Sequence, residues 1–356
     1  MVFRQISNLF RKLALRRRKK KEEQLRLQME ADGALSFRKL EKRQVLSATF
    51  SLDTAANTLT LDGFTTADSL TISDSGATNL AFTLGGGEVW AAAAADAAIA
   101  GTGTATITIA AADVVDFVVD DSLGKDMAVS FGATDLSASK TVTLSSGVGA
   151  VSQSGTLLGP TLGTALLSID GSSITLTDSA NDFDNLSLTS TGNVDIADVD
   201  DLNLAGASIT GNLDVLAKGA IDDSAKLDII GDASFITNND GAGTGTITLN
   251  TATNDFGSIT AETFKLDGTT AVDSDIDIND TGPTVVDKLT TDGDVTIDST
   301  GAISDSTGAT MTIGGDASFI SDSTIVLANE ATDALSVTGK ATFDTTTGED
   351  DIDVGV

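Results

Sequence analysis

Short runs in which apolar residues alternate with Thr or Ser recur along most of the chain, for example at 58–61, 105–109, 141–144 and 247–249. A period of two places alternate side chains on opposite faces, which is typical of half-buried β-strands. Thr, Val and Ile suit such a pleated surface, and the Gly, Asp and Asn residues between the runs favour turns. The pattern therefore predicts an all-β fold from residue 48 onward.

One stretch departs from this alternation. Residues 91–100 are mostly Ala, which favours helix, so the sequence predicts a short helix or an irregular loop there. Trp90, the only Trp of the chain, directly precedes the stretch. Packing within this segment is the role we favour for Trp90, and stacking against a sugar is the alternative.

Blocks of sequence recur in the same order through the second half of the chain. Residues 174–183 match 247–256 at six of ten positions, and 325–335 resemble a third, degenerate copy. Residues 231–236 recur identically at 315–320. The sequence therefore contains a long internal repeat, with small insertions and deletions, from about residue 170 to the end.

A repeat of this length, with several strands and no helical crossover, predicts a parallel β-solenoid (a β-helix). Each coil of such a fold takes about 20–30 residues and stacks on the next. Tandem β-sandwiches of about 80–100 residues are the alternative, and the two stay open where repetition is weaker. We expect three regions: a basic leader (1–47), a β-rich N-terminal region (48–160) and a repetitive β-solenoid (161–356).

Four Phe residues occupy matched places in the repeat copies. Phe183 matches Phe256, and Phe235 matches Phe319. Matched placement suggests a matched structural role, so we expect all four to point inward and to stack in equivalent positions of successive coils.

Charge divides the chain into two parts. Residues 1–47 carry 14 Lys and Arg and five Asp and Glu, whereas residues 48–356 carry seven Lys and 47 acidic residues. The net charge of the whole chain is −31. An acidic surface repels phosphate, so we expect no nucleic-acid partner.

The leader combines apolar residues at roughly helical spacing with six consecutive bases at 16–21. This pattern predicts a basic amphipathic helix, or else a solvated basic tail. Its apolar stretches are too short and too interrupted for an ordinary signal peptide or a transmembrane span.

The end of the leader carries a more specific motif. Residues 37–48 read FRKLEKRQVLSA, and the composition becomes acidic directly afterwards. The segment resembles the leader motif of planctomycete exported proteins, in which an aromatic residue precedes Leu-Glu-x-Arg-x-(Val/Leu/Met)-Leu-Ser. The matching positions are Leu40, Glu41, Arg43, Val45, Leu46 and Ser47. The resemblance implies export by machinery that reads the leader, and an extracellular or cell-surface destination.

The repeat blocks resemble those of filamentous-haemagglutinin-like and other large β-helical surface proteins. The resemblance rests on Ile-Thr-Leu-x₄-Asn-Asp-Phe at 174–183, followed by the Gly-Asn-Leu-Asp-Val, Gly-Ala-Ile-x-Asp and Gly-Asp-Ala-Ser-Phe blocks. It covers about half of the chain and implies a β-helical fold.

Carboxylates are the main candidates for chemistry, because the chain has no Cys and no His. It therefore has no thiolate nucleophile, imidazole base or His-ligated zinc. Hard oxygen ligands at alternate positions could bind calcium, and the candidates for such a site are Asp273, Asp275, Asp277 and Asp280. The competing interpretation is that these residues form the solvated row of a strand, with Ile276 and Ile278 inward.

The sequence favours a non-enzymatic extracellular or cell-surface structural or adhesive repeat protein. No Arg follows Arg43, and the seven Lys residues after it are scattered, so the sequence offers no obvious catalytic base. We expect other surface proteins or extracellular polysaccharide as partners, and no cofactor apart from possible calcium. The alternatives are a calcium-dependent carbohydrate- or matrix-binding module and a secreted glycan-active enzyme.

Overall fold

The structure, a computed structural model, describes residues 48–64, 69–76, 78–92, 98–120, 127–161, 165–239, 244–346 and 351–355. The expected leader, residues 1–47, lies outside this part of the chain. The described residues form 30 β-strands and one 3₁₀ turn, Ala111–Asp113.

The first strands are short and are connected partly by hairpins. They are β1 (Thr49–Asp53), β2 (Thr58–Asp62), β3 (Ser69–Asp74), β4 (Asn79–Leu84), β5 (Ala91–Ala92), β6 (Ile99–Ala100), β7 (Thr106–Ala110), β8 (Asp116–Val119) and β9 (Met127–Phe131).

The middle strands include three long ones, each of which pairs along more than one face of the solenoid. They are β10 (Thr134–Asp135), β11 (Thr141–Gln153), β12 (Leu157–Leu158), β13 (Leu166–Leu176), β14 (Asn185–Ser190), β15 (Val194–Asp198), β16 (Leu202–Ile209), β17 (Leu213–Ala217), β18 (Ile221–Asp223) and β19 (Leu227–Asn238).

The remaining strands continue the same ladders. They are β20 (Ile247–Leu249), β21 (Asp255–Phe264), β22 (Ile276–Asp280), β23 (Thr284–Thr291), β24 (Val295–Ser299), β25 (Ile303–Ile313), β26 (Ala317–Ser321), β27 (Ile325–Leu327), β28 (Ala334–Val337), β29 (Ala341–Thr345) and β30 (Ile352–Val354).

Every described pairing among β8–β30 is parallel and joins strands of successive coils. One ladder runs through β15, β17, β19, β21 and β23. Register partners such as Leu186 and Leu204, or Ile247 and Ile276, lie one coil apart along the chain. The parallel β-solenoid predicted from the repeats is therefore confirmed, and the β-sandwich alternative is wrong for these coils.

Alternating strand residues point into one continuous core. In β17, Leu213, Val215 and Ala217 are buried, whereas Asp214 and Leu216 are exposed. The core consists mainly of Leu, Ile, Val and Ala stacked on the same residue types of neighbouring coils. Such stacking stabilises each coil through its neighbours.

All four repeat Phe residues are buried, as predicted. The expected stacking in equivalent positions is wrong, because Phe235 lies in the ladder of β17, β19 and β21, whereas Phe319 lies in the separate ladder of β24, β26 and β29. Phe235 packs edge to face against Phe256 at 6.0 Å between ring centroids, and these two rings come from different blocks of the repeat. Phe319 stacks on Phe343 of the next coil at 5.5 Å, in direct register.

The N-terminal strands combine antiparallel and parallel pairing. Strands β2 and β3 join the parallel ladders through β8 and β9. On their other edges they pair antiparallel with β1 and β4, and β4 continues to β7. The ladders continue without a break from β11 to β13, across residue 160.

The Ala-rich stretch contains strand where the sequence predicted helix or loop. Ala91–Ala92 pairs in parallel with β1, and Ile99–Ala100 pairs antiparallel with β7. The pairing partners override the local helix propensity of Ala, which is a weak preference. Residues 93–97 lie outside the described part of the chain.

Candidate functional site

The four predicted calcium ligands do not converge on one point. Asp273 and Asp275 are exposed and Asp277 is half-buried, whereas Asp280 is buried among the core-facing residues. Ile276 and Ile278 point inward, as the competing interpretation predicted. Among the residues that the structure describes, no group of three or more acidic side chains is arranged to hold a metal ion.

The outward aspartates hydrogen-bond to adjacent coils. Asp275 accepts the backbone N–H of Asp294 at 2.9 Å, and Asp277 accepts the side-chain amide of Asn250 at 3.1 Å. Asp294 in turn accepts the N–H of Asp316 at 2.7 Å, and Asp316 accepts that of Lys340 at 2.7 Å. Asp275, Asp294 and Asp316 therefore form a turn ladder that ties one coil to the next.

Glycine lies beside this turn ladder at Gly293, Gly315 and Gly339. A Cβ on Gly315 would lie 2.6 Å from the carbonyl oxygen of Gly293 and would also meet the Asp294 carboxylate. A Cβ on Gly339 would lie 2.5 Å from the carbonyl oxygen of Gly315. The recurring Gly-Asp pairs of the sequence therefore mark turns where backbones of successive coils come too close for any side chain.

Buried oxygen atoms at the solenoid corners form a second recurring feature. At each such corner a buried Ser, Thr or Asp side chain accepts the backbone N–H of the residue two positions later, as at an Asx or Ser/Thr turn. These corner residues are Ser190, Asp198, Asp280, Thr291, Ser299 and Ser321. Each is at most 3 % exposed. Asp280, Ser299 and Ser321 are in direct register on successive coils.

Asp198 is the most perturbed of these groups. Its two oxygens accept N–H groups from Phe183 at 2.7 Å and Asp200 at 2.9 Å. Burial raises the pKa of Asp198 to about 7, and the nearby Asp200 charge adds to the rise, while the two N–H donors oppose it. The cost of burying a carboxylate therefore outweighs the hydrogen bonds that favour its charged form.

Asp280 has a closely similar environment. It accepts the N–H of Gly282 at 3.0 Å and the hydroxyl of Thr284 at 2.8 Å, and the N–H of Phe256 also donates to it. Burial raises the pKa of Asp280 above its usual range, against the lowering effect of these donors. Asp198 and Asp280 thus each receive the N–H of a matched repeat Phe, Phe183 or Phe256.

The Asn of each Asn-Asp-Phe copy, two residues before the matched Phe, is also buried. Asn181 accepts the N–H of Leu157 at 2.9 Å and donates to the carbonyl oxygens of Leu176 and Ala197 at 3.2 and 3.3 Å. It therefore connects three coils. Asn254 accepts the N–H of Leu227 at 2.8 Å and donates to the Leu249 carbonyl oxygen at 3.1 Å and to Asp223 at 2.7 Å.

The repeated Asn-Asp-Phe sequence is visible without the structure, but its pattern alone predicts a role only for the Phe. The Asn side chain satisfies buried backbone groups of neighbouring coils, and leaving such groups without partners costs about 1–3 kcal/mol each. The same Asn occurs in both copies of the block, at a place where alternation ends. This repetition was the sequence signal for its role.

The acidic runs of the sequence at 120–121, 198–201 and 349–351 form no metal-holding cluster among the described residues either. In the run 198–201, Asp198 is buried, Asp200 is exposed, and Asp201 accepts the N–H of Ala220 at 2.7 Å. Asp121, Glu349 and Asp350 lie outside the described residues. Trp90 is buried and donates its indole N–H to the Phe82 carbonyl oxygen at 2.9 Å, which confirms the packing role.

Comparison with known families identifies the repeat. A family model described as repeats of unknown function (DUF5649) matches residues 120–190, 191–263 and 273–333, which is more than half of the chain. The chain belongs to this family. No curated protein and no solved structure matches it.

The DUF5649 matches follow the internal repeat of the sequence and extend across residue 160. Successive matches begin at 120, 191 and 273, spacings close to those of the sequence blocks. The first match begins before the expected boundary at 160 and includes β11 and all of β13. Asn181 lies in the first match and Asn254 in the second, so each of these two DUF5649 repeats contains one Asn-Asp-Phe unit.

The carboxylates of the corners and of the turn ladder hydrogen-bond to groups of the chain itself. The buried carboxylates Asp198 and Asp280 accept donors from the chain's own backbone and hydroxyls, and the turn-ladder carboxylates accept backbone N–H groups. No helix among the described residues is long and apolar enough to cross a membrane.

Proposed function

We propose that this chain is a non-enzymatic structural or adhesive repeat protein of the cell surface or extracellular space. The observation that carries the proposal is the use of carboxylates. Asp198 and Asp280 stabilise corners, and Asp275, Asp294 and Asp316 tie coils together through backbone N–H groups. Acidic groups that bind backbone build a scaffold, whereas a catalytic carboxylate needs a free face toward substrate.

The outer rows support a display role. On one face the outward residues in register on successive coils are Asp222, Thr248, Asp277, Thr296, Ser318 and Thr342. Such a row presents hydroxyl and carboxylate groups at the strand spacing of about 4.8 Å. A rigid, hydrated surface of this kind suits contact with polysaccharide or with other surface proteins.

Export is the part of the proposal that depends on the leader motif. Cell fractionation should find the full chain at the surface or in the medium, and a chain lacking residues 1–47 should stay inside the cell. A matched control replaces the basic run 16–21 with Gln, keeps the motif at 37–48 and should still reach the surface. Surface delivery of the shortened chain would contradict the leader assignment.

Calcium-dependent binding is the second candidate. The exposed Asp273 and Asp275 favour it, because exposed carboxylate oxygens are the type of ligand that calcium takes. A cation that binds only the folded chain must raise the melting temperature. Calcium titration with magnesium as a control tests this candidate, and an unchanged melting temperature would reject it. A screen for release of reducing sugars from polysaccharides tests the remaining possibility, glycan-active catalysis.

A further inference from the structure

A shallow apolar groove lies on the solenoid face built by β15, β17 and β19. Its volume is about 290 Å³. Ala197, Leu216 and Ile236 are in register on three successive coils and form an apolar column, in which Ala197 is buried, Ile236 is half-buried and Leu216 is exposed. Leu216 is 38 % exposed, which is unusual for a large aliphatic side chain in this protein. An apolar column open to solvent favours contact with another apolar group.

A polar column borders the apolar one. It consists of Asp195, Asp214 and Ser234, again in register on the same three coils. Like charges directly opposite each other on neighbouring strands are destabilising. Burial raises the pKa of Asp214, and the charge of Asp195 raises it further. The groove therefore holds an acidic pair whose repulsion a bound cation would relieve.

The same face changes character on the next two coils. There the polar column continues as Thr260 and Lys288, and the apolar column as Glu262 and Thr290. Lys288 pairs with Glu262 at 2.7 Å, so the charge on that part of the face is balanced within the chain. The ion pairs given for the described residues are this one and Lys226–Asp228, and neither involves Asp195 or Asp214.

An occupant of the groove must therefore combine an apolar side chain with a neighbouring cation. The chain itself carries such a segment. Residues 3–21 contain nine Lys and Arg and no acidic residue, and Leu9, Phe10 and Leu13 flank Arg11 and Lys12 there. The body, with 47 acidic residues against seven Lys, has a matching opposite charge.

We propose that the groove binds residues 3–21 of a second copy of this chain. An apolar leader side chain packs on Leu216 and Ile236, and an adjacent Arg or Lys lies between Asp195 and Asp214. The contact joins copies to one another, and it does not depend on whether the chain is exported.

Sedimentation velocity of the purified full chain tests this contact. We expect self-association that depends on protein concentration and weakens between about 50 and 500 mM salt, because exposed charges are screened. Asp195→Asn with Asp214→Asn should weaken association at least tenfold. Leu216→Thr should weaken it as well, although it leaves the charge unchanged.

Two further variants separate a specific contact from general attraction to an acidic surface. Asp222→Asn with Asp277→Asn removes the same charge from a different face and should change association less than twofold. Arg11→Gln with Lys12→Gln should weaken association as the groove variants do. Combined with the groove variants it should add little, because both remove the same contact.

A chain that stays monomeric at both salt concentrations would overturn the proposal. Equal weakening by the groove pair and by the Asp222/Asp277 pair would overturn it too. Circular dichroism and melting of each variant show whether the fold is retained. These experiments use purified protein and do not depend on export. A negative result would therefore overturn the proposed contact without contradicting the proposed surface role.

Discussion

The two parts of the described chain are stabilised in different ways. Residues 48–120 pair largely through hairpins and contain an aromatic cluster in which Trp90 lies 6.2 Å from Phe50 and 6.1 Å from Phe64 between ring centroids. The parallel coils from β9 onward have mainly aliphatic layers with interspersed Phe rings, together with Gly-Asp turns and buried polar corners. The comparison suggests that a parallel coil depends on polar groups that satisfy its backbone at each turn, since it has no hairpin to do so.

The largest expected effect comes from a substitution in the coils, and two different signals follow the coils and the N-terminal part. Phe319→Ala removes a buried ring from the coils and should cost about 3–5 kcal/mol. Far-ultraviolet circular dichroism should show early loss of the later coils. The fluorescence of Trp90 should change little at that point, because coils contact only their neighbours.

The matched control is Phe343→Ala. Phe343 stacks on Phe319 but is half-buried, so its removal should cost less. Simultaneous loss of both signals in Phe319→Ala would show that the two parts unfold as one unit, and it would contradict the separation.

Acidity should stabilise the coils through Asp198. Its pKa is about 7 in the folded chain against an ordinary 3.8, so the folded state binds the proton more tightly. This contribution is fully present below about pH 4 and is lost as the pH rises through 7. It amounts to about 2–4 kcal/mol. Urea unfolding at pH 5, 6, 7 and 8 should show unfolding free energies that fall with pH.

Asp198→Ser is the variant that tests the source of this slope, because a buried Ser makes the same hydrogen bond to the N–H two positions later at Ser299 and Ser321. The slope should flatten in Asp198→Ser and persist in the surface control Asp277→Asn. An unchanged slope in Asp198→Ser would assign the pH dependence to other groups.

A substitution in a close turn should destabilise the folded protein more than a substitution in an outward row. Gly315→Ala places a Cβ against the backbone of Gly293 and should cost about 2–3 kcal/mol, as overpacking commonly does. The outward Thr296→Ala should cost under about 0.5 kcal/mol. Equal urea midpoints for the two variants would contradict the close approach of the coils.

The smallest expected effect concerns the turn ladder. Asp294→Ala leaves the N–H of Asp316 without its acceptor and should cost about 1 kcal/mol, since water can partly replace the bond. Asp273→Ala, for which the structure gives no such hydrogen bond, serves as the control. Faster amide exchange at Asp316 in Asp294→Ala alone would confirm the ladder.

Alternation was sufficient to predict the strands outside the Ala-rich stretch, and the repeat spacing was sufficient to predict the solenoid. Alternation also contained a signal about Asp280 that the calcium hypothesis did not use. Asp280 lies an odd number of positions from Asp277 and shares the parity of Ile276 and Ile278, so alternation places it inward. Asp198 likewise shares the parity of Val194 and Ile196.

Other features could not be obtained from local pattern. The hairpin pairing of β1 with β2 and of β3 with β4 depends on the direction in which the chain returns, which alternation does not encode. The strands in the Ala-rich stretch depend on distant partners, since β5 pairs with β1 and three other strands lie between them in the chain. The groove beside Asp195 and Asp214 arises because these residues of successive coils align in register.

Cross-linking tests the central claim, a parallel solenoid with in-register coils, most directly. The chain has no Cys, so a pair introduced at Thr296 and Ser318 has no competing thiol. These outward residues are register partners on β24 and β26, and neighbouring strands about 4.8 Å apart are within disulfide range. The control pair, Thr296 with Ile320, is displaced by two positions along β26. The account predicts a disulfide under mild oxidation in Thr296→Cys/Ser318→Cys and little in the control; no disulfide in the in-register pair, or equal yields in both, would contradict it.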